Sequence, residues 1–172
     1  SSLGDWFVNL DKLPDGIGSL ATQIHDLGLQ FGLWFEPEMV SYDSNLYRQH
    51  PNWLLKTPDR RLSHGRNQYV LDFSNPEVVT YIYDLMVKII EEAQLDYIKW
   101  DMNRSMSEVY SSSHSNHDQG RVMHEYILGV YQLYERLIQR FPRILFESCA
   151  SGGGRFDPGM LYYAPQAWAS DD

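Results

Sequence analysis

Helix-like and strand-like segments alternate along the whole chain, and no other feature constrains its fold as strongly. After a Pro-Asp-Gly turn, Ile17, Leu20, Ala21 and Ile24 recur at helical spacing, and Gly28 supplies a stop. A strand is expected at about residues 30–35, closed by Glu36-Pro37-Glu38. "SNPEVVTYIYDLMVKIIEEAQ" reads as the next helix. Asn75 is its cap, Pro76 takes the first position, Glu77 lies in the first turn, and Val79, Tyr81, Ile82, Leu85, Ile89 and Ile90 form an apolar stripe. "LDYIKWD" is a strand, "RVMHEYILGVYQLYERLIQRF" a helix ended by Pro142, "RILFESCASGGG" a third strand with its loop, and "YYAPQAWASDD" ends in a fourth. Residues 39–75 read as a long irregular stretch with a short helix at "DSNLYRQHP". Loops of that length in compact domains are functional or disordered.

Alternation of this kind implies a parallel sheet, either doubly wound or closed into a barrel. Polar side chains stand at the C-terminal ends of successive strands: Trp34 and Glu36, then Lys99, Asp101 and Asn103, then Glu147 and Cys149, then Asp171 and Asp172. An open sheet offers ligands mainly one crevice, whereas a barrel gathers many strand ends at one mouth. Four polar strand ends favour the barrel, an α/β fold.

Composition narrows the partners. At 43% hydrophobic and 14% aromatic, the 172 residues suffice for one sizeable core. A formal net charge of -9 without a Lys/Arg cluster argues against nucleic acid. No apolar run approaches the roughly 18 residues of a membrane span, and the start "SSLGDWFVNL" lacks the regions of a signal peptide. With Cys149 as the single cysteine, internal disulfides and thiolate metal sites are excluded, and the expected compartment is the cytoplasm.

Asp101 and Asp171 are candidates for paired-carboxylate chemistry. Retaining glycoside hydrolysis needs a nucleophile and an acid/base about 5 to 5.5 Å apart. The alternative for each is a helix cap or a solvated strand end. Lys99, two residues from Asp101 on one strand, could pair with it, bind substrate hydroxyls, serve as a Schiff-base amine, or form a structural ion pair. Trp34 is a sugar-stacking wall or a core residue, and Arg66 a ligand or a solvated loop residue. Asn103 reads as a turn residue by default. "SCASGGGR" brings backbone close to the mouth but is no phosphate loop. Cys149 reads as a nucleophile or a small packed group. His114 and His117 give only a weak metal signal, so no metal or other cofactor is expected.

"FGLWFEPEMV", "YIKWDMNR", "ESCASGGGRFDPGMLYY" and "WASDD", in this order and spacing, resemble the catalytic barrel of glycoside hydrolase family 36, the bacterial and fungal α-galactosidases. "SSLGDWFVNLDKLPDG" and "GRNQYVLDFSNPEV" match as well, so the likeness spans essentially the whole chain. It implies that Asp101 is the nucleophile and Asp171 the acid/base. Lys99 would reach the sugar hydroxyls, with Asn103, Cys149 and Gly152 lining the galactose pocket, Trp34 forming a wall and Arg66 reaching in from the loop. The implied substrates are α-1,6-galactosides such as melibiose and raffinose. A raffinose-synthase-type transglycosidase and a non-catalytic sugar-binding remnant are the alternatives.

The resemblance further implies that residues 1–172 are part of a single (β/α)8 catalytic domain, truncated at both ends, holding its third to sixth strands. "YVLDFSNPEV" would then belong to an excursion after the third strand. A complete barrel takes about 250 residues, so the expectation is an inactive fragment of an active homo-oligomeric parent, a tetramer being typical of the family. Asp101 has to stay ionised, which a nearby lysine favours, and Asp171 has to hold a proton, which partial burial beside Asp172 favours.

Overall fold

The alternation resolves into four adjacent parallel strands. In the computed structural model, which describes residues 2–63 and 65–172, helix α1 (Gly16–Asp26) leads to β1 (Gly32–Phe35), and α3 (Pro76–Ala93) to β4 (Tyr97–Trp100). Helix α4 (Val122–Arg140) leads to β5 (Leu145–Ser148), and α5 (Pro158–Tyr163) to β6 (Gln166–Ala167). The sheet order is β1-β4-β5-β6 with every neighbouring pair parallel. This is the wall of a partial (β/α)8 barrel, as expected.

Local chemistry sets the helix ends. The Asn75 side chain accepts the Glu77 amide, Pro76 follows it, and α3 closes at Gln94 in a left-handed conformation. Val78, Val79, Ile82, Leu85, Met86, Ile89 and Ile90 are buried along one side of α3. Each fully buried aliphatic side chain of this kind contributes about 1.5–3 kcal/mol. Tyr81, expected in that stripe, is only half-buried and packs edge-on against Trp53 with 5.4 Å between ring centroids.

Side chains alternate across β4. Ile98 and Trp100 are buried on the helix side, where Trp100 stacks on Tyr134 of α4 at 3.9 Å. Tyr97 and Lys99 point to the opposite face. That second face becomes the mouth of the site at the C-terminal strand ends.

Three elements differ from expectation. Residues 39–75 are not wholly irregular: β2 (Met39–Ser41) and β3 (Gln68–Val70) form an antiparallel pair with Met39 opposite Val70, and α2 (Asn45–Gln49) lies between them. This ribbon is separate from the four-stranded sheet. Helix α5 was not expected; Asp157 caps it by accepting the Met160 amide, with Pro158 at its start. The fourth barrel strand stops at Ala167, short of Trp168 to Asp171. Its ladder to β5 pairs only Glu147 with Gln166 and Ser148 with Ala167, because the chain beyond Ser148 turns into the glycine loop. That loop crosses the following residues so closely that a Cβ on Gly153 would sit 2.7 Å from the Ala169 carbonyl.

Candidate active site

Asp101 follows β4 directly and is 7% exposed. Its Oδ2 accepts the Trp34 indole N–H at 3.0 Å and the Asn103 amide at 2.7 Å. Its Oδ1 accepts the Met102 backbone N–H at 2.9 Å, and the Cys149 thiol adds a further bond. Burial opposes the charge, but these donors outweigh it and hold the carboxyl below its ordinary range. The strand register makes this possible. Trp34 lies opposite Lys99, two residues before Asp101, and the Cys149 amide bonds to the Trp100 carbonyl at 2.8 Å.

Asn103 is more than a turn residue. Its backbone N–H donates to Glu36 at 2.7 Å, and its side-chain carbonyl accepts from Ser151 at 3.0 Å. Glu36 is buried at the end of β1 and takes a second bond from Gln68 at 2.8 Å. Burial pushes its carboxyl up; the Asn103 amide pulls down, Asp101 adds to the rise, and Arg66 opposes it.

Lys99 does not pair with Asp101. Its ammonium lies 3.0 Å from Glu147 of β5, directly opposite in register, and 4.3 Å from the centre of the Trp168 ring. Tyr97 donates its hydroxyl to the other Glu147 oxygen. Burial works against the Lys99 charge, but the hydrogen bond and charge of Glu147 outweigh it and hold the amine above its ordinary range. An amine nucleophile needs the reverse. Asp101 therefore owes its charged state to neutral donors.

Cys149 is buried, and its thiol is pushed up by burial, pulled down by the Gly152 amide and pushed up again by Asp101. A protonated thiol is a donor to Asp101, not a nucleophile. Gly152 adopts φ +75 and presses on the next segment: a Cβ there would lie 2.9 Å from Ser170 Cα and 3.1 Å from the Asp171 nitrogen. A continuous path thus runs from Asp101 through Cys149 and Gly152 to the Asp171 backbone. The Asp171 carboxylate accepts the Trp168 indole N–H at 3.1 Å. Asp171 and Asp172 are both exposed, so the burial expected of Asp171 is not there; the segment lies beside β6, an edge strand of the sheet. Arg66 is exposed at the β3 end of the excursion and lines, with Trp34, Trp6 and Gln68, a hollow of about 780 Å³.

Glu38 and Arg155 carry no sequence signal of their own, yet they tie the glycine loop to Trp100 of β4. Arg155, from the glycine loop, donates to both Glu38 oxygens at 2.8 and 2.7 Å, and Tyr126 and Trp100 donate to the same carboxylate at 2.6 and 2.9 Å. Burial opposes the Glu38 charge, and Arg155 outweighs it, leaving the carboxyl below its ordinary range. His114 is bound to Glu125 at 2.5 Å, and among the described residues no group of three or more His, Cys, Asp or Glu could hold a metal ion. Among those residues, too, no helix is long and apolar enough to cross a membrane.

Comparison with known proteins places these features in context. The melibiase family model matches residues 1–172. The chain is 54% identical, over its full length, to alpha-galactosidase Mel36A of Lactobacillus acidophilus, and covers 24% of that protein. It superposes on the crystal structure of an alpha-galactosidase from Lactobacillus brevis with a TM-score of 0.98 at 60% identity, covering 100% of this chain and 23% of that one. A variant of the GH36 alpha-galactosidase AgaA from Geobacillus stearothermophilus, solved in complex with raffinose, matches with a TM-score of 0.96 at 55% identity, over 99% of this chain and 24% of that one. The chain thus spans about a quarter of the length of the relatives it matches.

Proposed function

Since the chain belongs to the melibiase family, we propose that it carries the catalytic carboxylates of a retaining α-galactosidase. On this reading, residues 1–172 are part of a single (β/α)8 catalytic domain, its third to sixth strands. The observation that carries the reading is Asp101: a carboxylate almost removed from solvent, held ionised by Trp34, Asn103, Cys149 and the Met102 amide at a strand end. Neutral donors keep it charged without covering it with a cation, which leaves a nucleophile rather than an ion pair.

An Asp101 oxygen attacks the anomeric carbon of a terminal α-linked galactose as the glycosidic C–O bond breaks. Asp171 passes its proton to the departing oxygen. In the second half, the Asp171 carboxylate takes a proton from water, whose oxygen displaces Asp101 from the anomeric carbon; two inversions give net retention. Lys99, with N–H bonds to spare beyond Glu147, donates to sugar hydroxyls, and Asn103, Cys149 and the Gly152 backbone line the pocket. Trp34 offers its ring as a wall, and Arg66 closes the outer side. A raffinose complex of the AgaA variant supports α-1,6-galactosides as the substrate class.

Chemical rescue tests the acid/base role in the complete barrel. Asp171→Ala is expected to lose turnover of poor leaving groups while still cleaving an activated aryl α-galactoside, with azide restoring the rate and giving the α-galactosyl azide. The β-azide from Asp171→Ala, or no rescue at all, would reject Asp171 as the acid/base.

A further inference from the structure

We propose that Glu147 is a positioning residue that acts through Lys99, holding the ammonium toward the sugar and away from Asp101. This rests on the galactosidase reading above. Glu147 lies opposite Lys99 in the parallel ladder, 3.0 Å from its nitrogen, with its second oxygen occupied by the Tyr97 hydroxyl. Both partners come from one face of β4, so the carboxylate is gripped by residues two apart on a single strand. Its side chain is 9% exposed, whereas that of Lys99 is 30% exposed.

Stability alone does not account for this arrangement. A buried ion pair is weak evidence for stability, since well-packed apolar residues of similar volume are often as good or better. The pair is also not sealed. Lys99 presents one side to Glu147 and another to the Trp168 ring at 4.3 Å, and Trp168 in turn donates to Asp171. An ammonium has three donors, so Lys99 keeps donors beyond the one directed at Glu147.

Lysine has a flexible stem, and Asp101 is close enough for its charge to act on Lys99. Without Glu147, Asp101 is the carboxylate whose charge still acts on the ammonium. Lys99 would swing onto it, and one movement would remove a sugar contact and mask the nucleophile. Glu147 prevents this by offering a closer, fixed anion in register.

The test is a double-mutant cycle in the complete barrel, read on an aryl α-galactoside. Glu147→Gln keeps the shape and the acceptor for Tyr97 but removes the charge. It is expected to lower kcat/KM by about 10- to 100-fold, the loss of one hydrogen bond to a charged group. In a Lys99→Met background the same substitution is expected to change kcat/KM by less than about 3-fold, because its effect runs through the missing amine. Full activity of Glu147→Gln in a wild-type background overturns the proposal, and so does an equal loss in both backgrounds. If Glu147→Gln does not fold, Tyr97→Phe decides: a several-fold loss of kcat/KM that disappears in Lys99→Met supports it, and unchanged kcat/KM overturns it. Wild-type barrel that does not cleave the substrate would sink the galactosidase reading and this inference together; active wild type beside equally active Glu147→Gln would sink this inference alone.

Discussion

The indole N–H of Trp34 donates to Asp101 Oδ2 at 3.0 Å, across the ladder between β1 and β4. A residue that looks like a sugar-stacking wall is therefore also a hydrogen-bond donor to the carboxylate. Trp34→Phe separates the two roles, since it keeps an aromatic ring and removes the donor. Trp34 is among the groups that lower the Asp101 pKa, so its loss raises that pKa and moves the acid limb of the pH profile of kcat/KM to higher pH. The loss of kcat/KM at neutral pH is expected to be about tenfold or more. An acid limb that stays in place would contradict the role given to the indole.

The Glu38–Arg155 pair makes a different prediction, on stability. Its members are 117 residues apart in sequence, and Glu38 is fully buried. Removing either partner strands a buried charge, so Glu38→Gln or Arg155→Met is expected to cost about 3–5 kcal/mol, with a double apolar replacement recovering part of it. The folded pKa of Glu38 lies below its ordinary value of 4.5, so its contribution is present above about pH 4.5 and is lost as pH falls through the folded pKa. Urea unfolding of the barrel as a function of pH measures this. Equal acid sensitivity in wild type and Glu38→Gln would count against it.

Gly152 ties the surroundings of Asp101 to the segment that carries Asp171. A methyl group at this position meets Ser170 and Asp171 backbone and also has to adopt φ +75. The backbone strain costs about 1–2 kcal/mol, and the clash displaces Asp171. With Asp171 as the proposed acid/base, Gly152→Ala is expected to lower kcat for a poor leaving group far more than for an activated aryl galactoside, because the displaced group is the one that assists departure. Equal losses on both substrates would place the effect elsewhere.

Asp101 could be singled out in the sequence because a charged residue closes a strand of Leu95, Tyr97, Ile98 and Trp100, and the helix–strand alternation sends such ends to one mouth. Cys149 and Asn103 stand at or next to such ends, and the structure brings both onto Asp101. The partner of Lys99 was not legible. It depends on the register between β4 and β5, and a lysine two residues from an aspartate suggests the nearer pair. Glu38 and Arg155 meet only through the folded chain, so neither residue carries a local signal. The β2–β3 ribbon and α5 escaped because three-residue strands and a six-residue helix are too short to show a period; the Asp157-Pro158 cap was the one available sign of α5.

The most direct measurement is to incubate the complete barrel with a galactose-configured, mechanism-based covalent inhibitor and map the labelled peptide by mass spectrometry. A single adduct on Asp101 is the expected result, establishing the covalent step and its nucleophile together. Folded, galactose-binding protein that gives no adduct, or one labelled at another residue, would contradict the role assigned to Asp101.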